Sequence, residues 1–220
     1  MNLNIKASIM AAVSQFKANQ DIRYYLEGVY VDPVEDGVVI VATNGHMLCA
    51  WRDTTGKAER PAILRIGNQL KAACGGGFGK RLTIIDGRLT VLDKDGMELF
   101  VQSREKNSKD SWEVQGKFPG WRDAIPEAKA DEPNPSLEPV NPLYLQDFQK
   151  ALKTGRDGVG HKAVGISLSQ PIKGRALIVT AAEVPDFIAA VMPMRQDTQP
   201  TPAWVRLPKV AAVEETAEAA

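Results

Sequence analysis

The sequence predicts an α+β chain built from three loose repeats of one unit, a short amphipathic helix followed by two or three antiparallel strands. Three observations lead there. Helix-period apolar stripes open the units, β-branched or alternating runs follow them, and Gly-centred tight-turn signals separate those runs. With 220 residues, 44% of them hydrophobic, the chain can bury a real core as one large or two small domains.

In the first unit Ile9, Val13 and Phe16 fall on one helical stripe, while Lys6 and Lys17 lie about 20° apart on another side at 3.6 residues per turn. Strand-like runs follow at Leu26–Val31, Val38–Thr43 and Met47–Arg52, with Glu35-Asp36-Gly37 as a turn. The second unit opens with Ala62–Ile66 and a short helix at Asn68–Cys74, stopped by Gly75-Gly76-Gly77. Its strands read at Leu82–Ile85, Leu89–Leu92 and Met97–Ser103, with Asp86-Gly87 and Asp95-Gly96 as tight turns. Residues 104–117 are polar and charged, which predicts an exposed loop.

The stretch Pro126–Pro142 carries five prolines and several acidic residues, the composition of a linker or extended crossing. Asn141-Pro142 then supplies an N-cap and a proline at the first helical position. In the helix after it, Leu145, Phe148 and Leu152 form the apolar stripe, and Gln146, Lys150 and Lys153 form a separate polar one. Strands return at Ala163–Leu168, Ala176–Thr180 and Phe187–Met192. The tail from Gln196 is Pro- and Thr-rich, then acidic and Ala-rich. That composition predicts disorder around one apolar interruption, Ala203-Trp204-Val205, which could fold back toward a neighbouring groove.

Charge balances at 27 basic against 27 acidic residues, so any attraction to nucleic acid has to come from local clustering. Cys49 and Cys74 sit in apolar or Gly-rich surroundings with no CxxC pattern, which predicts buried free thiols in a reducing compartment. No signal-peptide pattern opens the chain and no apolar run reaches a membrane-spanning length, so a soluble cytoplasmic protein is expected.

Enzymatic leads fail one by one. The Gly75–Lys80 run ends in Gly-Lys, but Cys74 stands where a P-loop needs its first Gly and Arg81 replaces the Ser/Thr. His46 and His161 have no metal-ligand spacing with cysteine or carboxylate, and no Ser/His/Asp set or carboxylate pair stands out. Neither catalysis, nor a metal, nor a cofactor is expected. What remains are three runs: Asp21-Ile22-Arg23-Tyr24-Tyr25-Leu26, Ala42-Thr43-Asn44-Gly45-His46-Met47-Leu48, and Ala190-Val191-Met192-Pro193-Met194-Arg195. Together they can wall an apolar groove with a few polar rim atoms, as a site for short peptides requires.

These runs, with the repeat, resemble the bacterial DNA polymerase sliding clamp (DNA polymerase III beta subunit), the ring-forming processivity factor. Gln20–Gly28 looks like the start of that clamp's middle domain, and Ala42–Leu48 is similar to its ATDGHRLA signature, with Asn44 for Asp and Met47 for Arg. The segment Phe118-Pro119-Gly120-Trp121-Arg122-Asp123-Ala124-Ile125-Pro126 looks like FPDYRRVLP, and Val191–Arg195 matches VMPMR. The resemblance covers residues 1–126 and, more loosely, 137–195. It implies a clamp-like domain of two half-units at 1–126, a linker at 127–141, half of a second clamp-like domain at 142–195 and a disordered tail at 196–220. Such a clamp would be a shortened form, lacking an N-terminal domain and half of the last one.

The resemblance further implies a DNA clamp fold, with antiparallel sheets outside and helices lining an inner surface. It implies a peptide pocket at Leu26, Thr43, Gly45, His46, Met47, Leu48, Pro119, Asp123, Ala124, Val191, Met192, Pro193, Met194 and Arg195. Met192 and Met194 suit varied anchors, Pro119 and Pro193 stiffen the walls, Gly45 allows close approach, and His46 and Arg195 can bond a peptide backbone or a Gln side chain. The family has arginines where Asp123 and Met47 stand, so acidic peptides should be disfavoured here. For sequence-independent contact with duplex DNA it implies Lys6, Lys17, Gln20, Arg23, Lys71, Lys150 and Lys153, with Lys80 and Arg81 in reach. The implied partners are double-stranded DNA, replicative polymerase, clamp loader and other proteins with clamp-binding motifs, and the implied assembly is a homo-oligomer. The competing reading is a non-ring adaptor that keeps the pocket and competes for clamp-binding proteins; a phage or mobile-element origin suits either.

Overall fold

In the computed structural model, which describes residues 1–103, 111–126, 137–155 and 164–194, the chain opens on a strand rather than on a helix. Strand β1 (Leu3–Lys6) runs straight into α1 (Ala7–Val13), and a 3-10 turn at Ser14–Phe16 continues it. The meander β2 (Gly28–Val34), β3 (Gly37–Thr43) and β4 (Met47–Asp53) follows, with a short β5 at Lys57–Ala58. The second unit repeats the order: β6 (Ala62–Arg65), α2 (Asn68–Cys74), β7 (Arg81–Ile85), β8 (Arg88–Leu92) and β9 (Glu98–Ser103), then the short β10 (Glu113–Val114). The third gives α3 (Pro142–Gly155), β11 (Ser167–Ser169), β12 (Leu177–Thr180) and β13 (Phe187–Val191).

Three expectations are corrected. Leu3 and Ile5 alternate into the core, which keeps the backbone extended up to Lys6 (φ −64°, ψ 121°). Lys6 is therefore the residue before the helix, and the shared helical face with Lys17 does not exist. The expected loop at 104–117 holds a buried Trp112 and β10, which pairs with β6. Trp112 donates its indole N–H to the Gly87 carbonyl at 2.9 Å, an apolar anchor hidden among charged neighbours. The strand expected at Ala163–Leu168 starts only at Ser167, and Ala163 lies outside the described residues. So do most of the proline-rich stretch and the whole tail. At its described end, Asn141 caps α3 as expected: its Oδ1 accepts the Leu143 N–H at 3.0 Å and its carbonyl the Tyr144 N–H at 3.0 Å.

Two antiparallel sheets result, ordered β5-β1-β7-β8-β9 and β10-β6-β2-β3-β4-β13-β12-β11. The strand before each of the first two helices is exchanged: β1 pairs with β7, and β6 pairs with β2. That exchange interlocks the first two units. The third unit is zipped on by its last strand, Phe187–Val191 against Met47–Trp51, so that one continuous sheet runs through both parts of the chain.

On one side of the sheets the three helices pack against a single large core. All seven residues of α1 are buried, and four of them are Ala or Ser, small enough to let α3 come close. Phe16 and Phe148 stack at 5.4 Å, Trp51 meets Phe187 edge-on at 5.3 Å, and the Ser8 hydroxyl donates to the Gly155 carbonyl at 3.4 Å. A Cβ on Gly155 would collide with the Trp51 ring. On the other side of the eight-stranded sheet, Leu26, Val39, Val41, Leu48, Ala50 and Ala190 form a second core with Val114 and Phe118. The segment that ends at Ile125 lies over that face, with Phe118 stacked on Tyr30 at 4.8 Å.

Candidate functional site

Strand alternation decides what the outer face of the β4–β13 seam offers. Leu48 and Ala190, opposite each other in the register, belong to the outer core, whereas Cys49, Ala189 and Val191 belong to the helix-side core. A small cavity of about 60 Å³ opens there, lined by Thr43, Gly45, His46, Met47, Leu48, Ala124, Ala176, Ala190 and Met192. It has room for the end of an apolar side chain rather than for a drug-sized ligand.

The β3–β4 turn is fixed by its own side chains. Asn44 Oδ1 accepts the N–H groups of His46 and Met47 at 2.9 Å each, and Thr43 Oγ1 accepts the Gly45 N–H at 3.1 Å while donating to the Met47 carbonyl at 2.7 Å. Gly45 sits at φ +89°, and a Cβ there would meet the Arg23 guanidinium at 3.1 Å. Arg23 is held in turn by Asp21, Nη2 to Oδ2 at 2.7 Å. The bond from Arg23 lowers the Asp21 carboxyl to a pKa of about 2. The far wall is stitched on by the Met192 N–H, which donates to the His46 carbonyl at 2.9 Å, and the Met194 N–H, which donates to Pro139 at 2.7 Å. Both methionine side chains remain exposed, at 44% and 40%. Across the groove, Ala124 ends a 3-10 turn braced by Asp32, which accepts from the Trp121 indole at 3.1 Å and from Arg122 at 2.8 Å.

Seven of the sequence-predicted pocket residues line this cavity: Thr43, Gly45, His46, Met47, Leu48, Ala124 and Met192. The rest do not. Leu26 is buried in the outer core beneath, and Val191 points to the helix side, because neighbouring strand residues face opposite ways. Pro119 and Asp123 are exposed on the covering segment, with the Asp123 carboxylate turned back toward Gly120. Pro193 and Met194 continue the wall past the cavity, and Arg195 lies outside the described residues. Two lining residues were missed, Ala176 and Ala190. Ala190 stood in the quoted run, and the alternation that removes Val191 selects it.

The residues expected to face DNA divide in the same way. Lys17 and Lys150, from the first and third units, both lie close enough to Lys71 of the second for their charges to act on it. Burial first, then Lys17 and Lys150, lower the Lys71 pKa, while Asp147 opposes them. Lys150 pairs with that Asp147 at 3.5 Å. Lys153 is exposed on α3, Lys6 is half-buried, and Gln20 is exposed at φ +54°. Three others serve the fold. Lys80 donates to the Ala73 and Gly75 carbonyls at 3.1 and 2.7 Å, closing the C-terminus of α2. Arg81 bonds Asn4 at 2.7 Å and stands 3.6 Å from the buried Asp53 carboxylate, and Arg23 belongs to the groove rim. Among the described residues no three His, Cys, Asp or Glu side chains converge as a metal site, and no helix is long and apolar enough to cross a membrane. A larger concavity of about 570 Å³ lies along β1, β5 and β7, on the other sheet.

The fold has counterparts among solved structures. A ligand-bound DNA polymerase sliding clamp from Pseudomonas aeruginosa superposes with a TM-score of 0.62 over 89% of this chain and 66% of the clamp, at 18% identity. The chain has the bacterial sliding-clamp fold. The clamp from the same organism bound to griselimycin matches with a TM-score of 0.60 at 18% identity, over 89% of this chain and 66% of that one. DNA polymerase III subunit beta from Borrelia burgdorferi, in complex with a natural product, matches at 0.59 and 15% identity, over 89% and 63%. The chain thus spans about two thirds of the length of the sliding clamps it matches. No family model and no curated protein sequence matches it.

Proposed function

We propose that this protein is a sliding-clamp-like processivity factor, a non-enzymatic homo-oligomer of the cytoplasm. It follows duplex DNA without regard to sequence through helix-side lysines, and tethers polymerase, clamp-loader and repair proteins by seating a short apolar peptide motif in the groove. The observation that carries this is the two-sidedness of the eight-stranded sheet. Its outer face holds a rigid-turned groove with soft methionines at the rim, while on the helix side Lys71 of α2 lies near Lys150 of α3 and near Lys17, just after the first 3-10 turn. A tether needs those two surfaces back to back, one for the track and one for the passenger.

The cavity admits only an anchor, so affinity comes from one or two apolar side chains plus backbone bonds at the rim. Anisotropy of a fluorescein-labelled short peptide carrying a Gln and two apolar anchors measures this directly. Met192→Ala with Met194→Ala should weaken binding about tenfold, equivalent to about 1.4 kcal/mol. Lys150→Glu with Lys153→Glu should leave the peptide alone and abolish retention on duplex DNA. Loss of polymerase processivity in both double variants supports a clamp; loss only in the methionine variant points to the adaptor instead.

A further inference from the structure

The described chain ends on the wall of the groove. Met192 lines the cavity, with its N–H on the His46 carbonyl at 2.9 Å. Met194, held through its N–H by the Pro139 carbonyl at 2.7 Å, is the last described residue. Whatever follows Met194 therefore leaves from the mouth of the groove itself.

The sequence that follows carries the chemistry the groove takes. Beyond Arg195 the one Trp and the one Leu, Trp204 and Leu207, stand in a single run with Val205 and Arg206. Val205 and Leu207 are two apart, so an extended backbone presents both to the same side. Thr201 precedes Pro202 and Leu207 precedes Pro208, positions that favour an extended backbone and reduce the cost of ordering it. We propose that Val205–Leu207 docks back into the groove of its own chain, so that an incoming peptide must displace it.

Reach, size and charge agree with this. Eleven steps of chain separate Met194 from Val205, which span at most about 40 Å when extended, ample for a return to the wall they leave from. The cavity of about 60 Å³ accepts the end of a Val or Leu side chain, while the exposed Met192 and Met194 offer sulfurs to the Trp204 ring. At the rim, Arg23 is taken by Asp21 at 2.7 Å and Arg122 by Asp32 at 2.8 Å, whereas Asp123 is exposed beside the lining residue Ala124. Between Asp197 and Glu214 the charged residues are both basic, Arg206 and Lys209, and suit that carboxylate. A tether this short gives an effective concentration of about 1 mM, so a segment with a Kd of about 0.1 mM is docked about nine-tenths of the time. The docking rests on the groove being a peptide site, as proposed above, and adds what holds that site in the free chain.

Two labelled peptides, one of residues 201–209 and the Gln-containing one above, are titrated against the full chain and against full-length Val205→Ser with Leu207→Ser. A matching circular-dichroism spectrum is expected as the folding control. Both peptides should bind the Ser variant about tenfold more tightly than the wild type, whatever the protein concentration. Equal affinities for the two proteins overturn the docking and, where the Gln-containing peptide binds both, leave the groove reading intact. A block that fades as the wild type is diluted assigns the segment to a second copy and also overturns it. Release seen with the 201–209 peptide, but no binding of the Gln-containing one, supports the docking and removes only the clamp-motif reading. Binding of neither peptide to either protein overturns both. The place of docking has its own check. Added to the Ser variant, Met192→Ala with Met194→Ala should weaken the 201–209 peptide about tenfold; an unchanged affinity puts the segment elsewhere and overturns the proposal. Because segment and passenger share those methionines, the tenfold loss given above for that pair emerges in full only in the Ser variant.

Discussion

Gly45 holds its backbone at φ +89° with the Arg23 guanidinium lying where a Cβ would go. Both facts demand glycine, one through backbone strain and one through contact. Gly45→Ala should cost about 1–2 kcal/mol in chemical denaturation and should weaken the labelled peptide as Arg23 is displaced. Asp21 gives the rim its pH limit. Its carboxyl, lowered to about 2 from 3.8, contributes fully above the ordinary value and loses its effect only as pH falls through about 2. An NMR titration of Asp21 should find a midpoint near 2 that moves toward 3.8 in Arg23→Ala. The thiols behave in the opposite sense, since burial drives Cys49 up strongly and Cys74 to about 12. That agrees with the apolar settings read from their neighbours.

Among the elements, α1 and α3 meet so closely because small residues face each other and Gly155 leaves space for the Trp51 ring. Gly155→Ala forces that ring aside. It should lower stability by about 2 kcal/mol and shift the Trp51 fluorescence, both followed in one denaturant series. Much at this scale could be read from the chain. Asp86-Gly87 and Asp95-Gly96 marked hairpins, Asn141-Pro142 marked a helix start, and the β-branched runs marked central strands. What stayed hidden depended on contacts distant in sequence. The exchange of β1 and β6, the anchor Trp112 inside a charged stretch, and the use of Lys80 and Arg81 as internal braces have no local signature. The groove was legible as three runs, but not which member of each run faces it. That choice follows from the register of β13 on β4, a partner more than a hundred residues away.

For the whole molecule, the helix-side lysines set a measurable expectation. If Lys17, Lys71 and Lys150 each meet a phosphate, duplex binding should fall with a log–log salt slope that loses about 0.9 for each lysine replaced by Gln. The loss should be the same for unrelated DNA sequences. A Gln variant that instead changes sequence preference, with its slope intact, would count against backbone contact. The formal charge of +0 means this attraction comes from the local cluster rather than from the net charge of the chain.

The β4–β13 seam also has a consequence in time. Arg52 Nε bonds Asp186 at 2.8 Å across 134 residues of chain, at the end of the ladder that builds the groove. Contacts of that span form late, after the loop between them has been closed, and on a ribosome they wait for β13 to emerge. Until then β4 is itself an open edge and the cavity has no far wall. A nascent chain stalled before Phe187 should therefore be unable to hold a passenger peptide, and peptide-binding competence would arrive only once β13 has been made.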